Sequence, residues 1–214
     1  MISPKARVVM AMLVSAAVLS CADVPSTGPT PPDFRAEFRF VHAAPELGNV
    51  QLAVDGVQQG ALDYAGDLAH REYPAGSREV ALSSGERQFV AMSTNLRGTV
   101  VELPALAGAP REFLRLSERR VFDAPQVAFR VANFYAPAAV DVTVTAGADT
   151  VLATSLAYKG VSNYRAVPAG SYTVEAKIAG SNTVLVSSPL SVSTSHTSMI
   201  LGDASAALIK NVAD

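Results

Sequence analysis

The chain has 214 residues, with 17 basic and 19 acidic side chains, one cysteine and no tryptophan. The near-neutral balance excludes an electrostatic nucleic-acid binder. One cysteine excludes an internal disulfide framework and a multi-thiolate zinc site, and the scarcity of aromatic rings argues against a carbohydrate site built on stacking.

Lys5 and Arg7 open the chain, and residues 8–19, VVMAMLVSAAVL, form an uncharged apolar run. That run suits the core of a secretory leader and is too short to span a bilayer as a helix. It ends in Val18-Leu19-Ser20-Cys21. This ending resembles the bacterial lipobox, which implies a signal peptide over 1–20, lipidation of the Cys21 thiol and acylation of the new amino terminus. A thioether-linked diacylglycerol with a third acyl chain such as palmitate anchors far more firmly than one acyl chain. The alternative is ordinary cleavage after Ala22, which leaves a soluble secreted or periplasmic protein. Ala22 is not the aspartate that resembles an inner-membrane retention signal, so the resemblance implies the outer membrane or cell surface.

Residues 21–37 contain Pro25, Pro29, Pro31 and Pro32. Prolines at this density stop helices and favour extended polyproline conformation. A dozen such residues reach ~35 Å, a tether between a membrane and a folded domain.

From residue 38 the chain reads twice. LDYAGDLAHREYPAGSREVAL (62–82) matches LAYKGVSNYRAVPAGSYTVEA (156–176) at a spacing of 94, through Leu62, Tyr64, Gly66, Pro74, Ala75, Gly76, Ser77 and Val80. Upstream, FRFVHAAP (38–45) pairs with FRVANFYAP (129–137), and NVQLAV (49–54) with AVDVTV (139–144). A period near 90 is too long for a solenoid repeat and fits duplication of a small domain. The copies are placed at 38–125 and 126–214, with a short connection near 123–126.

Within each copy the apolar period is two. Val140, Val142 and Val144 alternate with Asp141, Thr143 and Thr145; Tyr172, Val174, Ala176 and Ile178 alternate with Thr173, Glu175 and Lys177. Such strands bury one face and wet the other. Turn signals fall at Asp55-Gly56, Ser84-Gly85, Ala146-Gly147 and Gly180-Ser181-Asn182, the spacing of a sandwich or barrel. The shared Pro-Ala-Gly reads as turn punctuation.

FRFVHAAP, FRVANFYAP, the valine-alternating strands, YPAGS and VPAGSYTVEA together resemble the bacterial domain-of-unknown-function family 4397, over about residues 38–214. The resemblance implies an all-β fold of two tandem immunoglobulin-like or transthyretin-like antiparallel sandwiches on a lipoprotein or secreted surface protein. It carries no catalytic residues. The first copy departs from the pattern: Arg78 stands where the second has Tyr172, and LPALAGAPREFLRLSERR replaces a simpler tail.

The search for chemistry returns little. His42, His70 and His196 have no second histidine or cysteine at ligand spacing. His42, replaced by Asn133 in the second copy, reads as a polar cap on a strand end; His70 reads as a turn residue opposite Asn163. No G-x-S-x-G elbow, Walker loop or G-x-G-x-x-G occurs. No cofactor or metal is expected, and the chain is not expected to be an enzyme. Arg111, Arg115, Arg119 and Arg120, interspersed with Glu112 and Glu118, read as a solvated edge strand, with contact to an acidic polymer or headgroup as the sharper reading. Residues 34–125 carry 10 basic and 12 acidic groups, whereas 126–214 carry 5 of each, so a partner surface is sought first in the second copy.

The sequence thus points to a non-catalytic cell-envelope lipoprotein, attached to the membrane through Cys21, displaying sandwiches for binding or adhesion to an unidentified protein or glycan. A structural spacer in an envelope complex is the alternative, and an envelope hydrolase a more remote one.

Overall fold

The computed structural model describes residues 33–106, 110–118, 122–123, 125–136 and 138–214. Cys21 and the leader lie outside the described residues, as does the tether up to residue 32. The first half of the described chain forms β1 (Arg35–His42), β2 (Val50–Val54), β3 (Val57–Leu62), β4 (Asp67–Pro74), β5 (Gly76–Leu82), β6 (Arg87–Met92), β7 (Arg97–Glu102) and β8 (Phe113–Ser117). The second forms β9 (Gln126–Tyr135), β10 (Val140–Ala146), β11 (Asp149–Leu156), β12 (Arg165–Pro168), β13 (Gly170–Ile178), β14 (Val184–Val192), β15 (His196–Asp203) and β16 (Ala206–Ala213). β1 takes in residues 35–37, so the folded part begins within the segment expected to be tether.

Each half is a sandwich of two four-stranded sheets. The orders are β4-β1-β7-β8 and β3-β2-β5-β6 in the first, β12-β9-β15-β16 and β11-β10-β13-β14 in the second. Adding eight to every strand number of the first half gives the second, so the internal repeat is a repeat of topology. The sheets are antiparallel but for one central parallel pair in each half, β1 with β7 and β9 with β15.

The four turn signals sit where hairpins need them. Asp55 and Gly56 both take positive φ between β2 and β3; Gly85, Gly147 and Gly180 take positive φ at the other three. Pro-Ala-Gly is the corner where the chain leaves one sheet for the other: Pro74 ends β4 and Gly76 starts β5, as Pro168 ends β12 and Gly170 starts β13. In the second copy the Tyr172 hydroxyl donates to the Pro168 carbonyl at 2.5 Å. In the first copy Arg78 replaces it, donating to the Ala75 carbonyl at 2.9 Å.

Each sandwich has its own core, the first around Phe38, Phe40, Leu52, Val80 and Met92, the second around Phe129, Val131, Val142, Val174 and Ile200. A third apolar cluster joins the halves, with Val41, Val101 and Leu116 against Ala132, Met199 and Val212. The sheets carrying β1 and β9 therefore face each other, and Phe34–Asp214 forms one compact unit. This explains the burial patterns. β10 alternates buried and half-buried residues, because one face meets solvent. β9 is buried from Ala128 to its end, because one face meets its own sandwich and the other meets the partner sandwich.

Candidate functional site

The side chains with chemistry gather at one end of the seam between the sandwiches. The parallel pairing sets Arg39 beside Thr99, and Arg130 beside Thr197. In the first copy Arg39 Nε donates to Thr99 Oγ1 at 2.8 Å, and the Thr99 hydroxyl donates to Glu118. In the second, Arg130 Nε donates to Thr197 Oγ1 at 2.9 Å, and that hydroxyl donates to Asp214 at 2.9 Å. An arginine–threonine–acid chain is thus repeated, each acid standing immediately after the last strand of its sandwich.

The two chains interlock. Arg39 Nη2 pairs with Glu118 at 2.8 Å and with Asp214 at 3.2 Å, and Arg39 Nη1 donates to the Ala213 carbonyl at 2.7 Å. The Tyr164 hydroxyl donates to Asp214 at 2.7 Å, and the Arg130 guanidinium stacks 4.3 Å from its ring centroid. His70 Nε2 lies 2.7 Å from Glu118, with Arg97 donating to His70 Nδ1 at 3.1 Å. The Glu118 side chain is wholly buried, and Arg39 nearly so. Burial pushes the Asp214 carboxyl up, against the pull of its bonds to Tyr164 and Thr197. Burial likewise raises the Tyr164 hydroxyl, helped by its bond to Asp214 and by the Asp214 charge.

Over this network opens a cleft of about 410 Å³, lined among others by Arg35, Glu37, Glu72, Arg97, Glu118 and Asp214. A second cleft, of about 420 Å³, lies on the second sandwich between β11 and the segment 161–165. At the far end of the seam Lys159 pairs with Glu112 at 2.6 Å and Lys210 with Asp67 at 2.5 Å, so salt links cross between the sandwiches there too.

The sequence candidates fall into place unevenly. Cys21 lies outside the described residues, as do Arg119 and Arg120. His42 ends β1 as expected of a cap: fully buried, it meets Glu102 at 2.5 Å and the Gly48 carbonyl at 2.8 Å. Asn133 does the same work in the second copy, donating to the Ala138 and Leu156 carbonyls. His70 is a correction. It lies within β4, not in a turn, and its match at the spacing of 94 is Tyr164, not Asn163; both reach the seam acids. The charge cluster divides: Arg115 is exposed on β8 as expected of a solvated edge strand, whereas Glu118 is buried and Arg111 is a correction. β8 is an edge strand, but Arg111 is 8% exposed and pairs with Glu46, Glu86 and Glu102 at 2.8–3.1 Å, so it faces inward and not to solvent. Among the described residues no group of three or more His, Cys, Asp or Glu could hold a metal ion, and no helix is long and apolar enough to cross a membrane. Sequence reasoning missed the seam network itself. Its one legible trace was the arginine shared by FRF and FRV.

No protein-family model and no curated protein matches the chain. Among solved structures, the N-terminal domain of AlgF from P. aeruginosa aligns at 15% identity with a TM-score of 0.30, over 40% of this chain and 98% of that one. The Bacillus anthracis TIE protein aligns at 12% identity with a TM-score of 0.25, over 79% of this chain and 33% of that one. Neither likeness supports a functional assignment.

Proposed function

We propose that this chain is a bacterial cell-envelope lipoprotein, held at the membrane through Cys21 and a Pro-rich tether, that displays two fused β-sandwiches as a non-catalytic binding or adhesion module. One observation carries the reading: the two seam acids are each taken up by three seam donors. Glu118 accepts from Thr99, Arg39 and His70 at once, and Asp214 accepts from Thr197, Tyr164 and Arg39. Groups so saturated lock two domains together, and the locked unit then holds its surface clefts in fixed geometry, which lowers the ordering cost of binding. A spacer or assembly role is favoured by a different observation. Phe89 is 70% exposed on β6, the outermost strand of its sheet, where a neighbouring subunit would cover it.

Two measurements test the proposal. Cys21→Ser should move the protein from the membrane to the soluble fraction, and unchanged attachment contradicts the anchor. Solubilised envelope fractions should raise the melting temperature of the protein. No shift, with self-association instead, would turn the assignment to the assembly role.

A further inference from the structure

The duplication supplies an internal control, because one corner of the fold is filled in the first sandwich and open in the second. In the first, a register shift leaves Gln59 without a partner on β2, and such a bulge re-aims its side chain. Gln59 Oε1 accepts from the Tyr73 hydroxyl at 3.1 Å and from Arg71 Nη1 at 3.2 Å, and Arg71 Nη1 also donates to the Gln59 carbonyl at 2.9 Å. Leu68 packs against Gly60, its Cδ2 3.1 Å from where a Cβ would stand. These contacts tie β3 to β4.

At the spacing of 94, Gln59 becomes Ala153, Leu68 becomes Ser162 and Tyr73 becomes Val167, while Arg71 remains an arginine, Arg165. The bulge also moves, to Val151. The result is the cleft of about 420 Å³. Arg165 is the one charged residue among those lining it. It is exposed, and its side chain makes no hydrogen bond or ion pair among the described residues. One wall is β11, an edge strand of its sheet, which offers alternate backbone N–H and C=O groups outward.

We propose that this cleft receives an extended peptide carrying an acidic side chain, which adds as a strand beside β11 and places its carboxylate on Arg165. The first sandwich shows the chemistry within the same fold: there the arginine takes a side-chain carbonyl oxygen and a main-chain carbonyl. The second sandwich keeps the arginine but has Ala153 where the first has Gln59, so the side-chain oxygen is gone and the guanidinium is left for an acceptor that a bound peptide supplies. A glycan fits less well. Tyr164 is the one aromatic ring among the lining residues, and Arg130 covers one of its faces. Strand addition draws affinity from backbone hydrogen bonds and selectivity from alternate side chains, as the edge and the arginine here require.

The inference rests on the display reading and names its site. The test uses the full chain and capped, fluorescently labelled pentapeptides Thr-Val-Xaa-Val-Thr covering every amino acid at Xaa, with binding read by anisotropy. Peptides with Asp or Glu should bind saturably and at least about tenfold more tightly than those with Lys, the scale of a charge-assisted pair. Arg165→Gln should abolish that preference and Arg71→Gln should leave it intact. Ala153→Gln, which adds side-chain bulk to a residue lining the cleft, should weaken binding by about tenfold or more without lowering the melting temperature. The proposal is overturned if no peptide binds below about 1 mM, if Arg165→Gln leaves the preference unchanged, or if trigalacturonate binds in an Arg165-dependent way and the peptides do not. An envelope fraction that still stabilises Arg165→Gln as it does the parent sinks this site and leaves the display reading standing. If neither peptides nor fractions act on the parent, both fall.

Discussion

Glu118 shows how much of this fold hangs on single side chains. Its carboxylate, wholly buried, is shared by Arg39, His70 and Thr99. Glu118→Ala leaves the Arg39 guanidinium buried without its main partner, and a broken buried pair costs about 3–5 kcal/mol, read from urea unfolding midpoints. Gly98 is the steric counterpart. A Cβ there would stand 2.6 Å from the Leu116 carbonyl oxygen and 2.7 Å from the Phe38 ring, so Gly98→Ala should cost about 1–3 kcal/mol through overpacking. His196 sets a pH response. Burial, with the Arg39 charge second, lowers its imidazole below the ordinary 6.5, and Nε2 has no hydrogen-bond partner among the described residues. The unfolded chain therefore takes up the proton first, and stability falls as pH drops through 6.5 toward the lowered value. His196→Gln should flatten that part of the melting-temperature profile; an unchanged slope would assign it to other groups.

At the scale of elements, the local signals were the readable ones. The valine alternation of β10 and the glycines at the hairpins come from short-range chemistry, period-two burial and positive φ, and the strands and turns follow them. Pro-Ala-Gly was legible as a turn but not as the corner between sheets, because a corner is defined by which sheet each flanking strand joins. The parallel pairs β1–β7 and β9–β15 were illegible for the same reason: they join residues 60 and 67 apart along the chain, and no local pattern records a long-range pairing. The inward turn of Arg111 was hidden because its partners, Glu46, Glu86 and Glu102, are scattered along the chain. The corner carries its own prediction. Tyr172→Phe deletes the bond to the Pro168 carbonyl and should lower stability by about 1 kcal/mol, measured by denaturant unfolding.

At the scale of the whole molecule, the repeat was legible and its fusion was not. The short connection near 123–126 does not record how the two copies meet, and Ala132, Phe134, Met199 and Leu201 of the second bury themselves against Val41, Val101 and Leu103 of the first. Cutting the chain at 126 would expose that patch together with Asp214 and Arg130. The fragment 126–214 alone should therefore self-associate or aggregate, and a stable monomer by light scattering would show that the seam is dispensable. The candidate site follows the same division. The match of Arg71 with Arg165 is present in the repeat, but nothing local sets it apart, and the opening beside Arg165 appears only once β11 and the segment 161–165 are placed in space.

The account stands or falls on where the chain is held. The most direct measurement is the intact mass of the protein made in a bacterial host with its own leader. A mass of residues 21–214 plus acyl chains is the predicted result and fixes Cys21 as the anchor. A mass beginning at Asp23, without lipid, would contradict it and make this a soluble secreted protein.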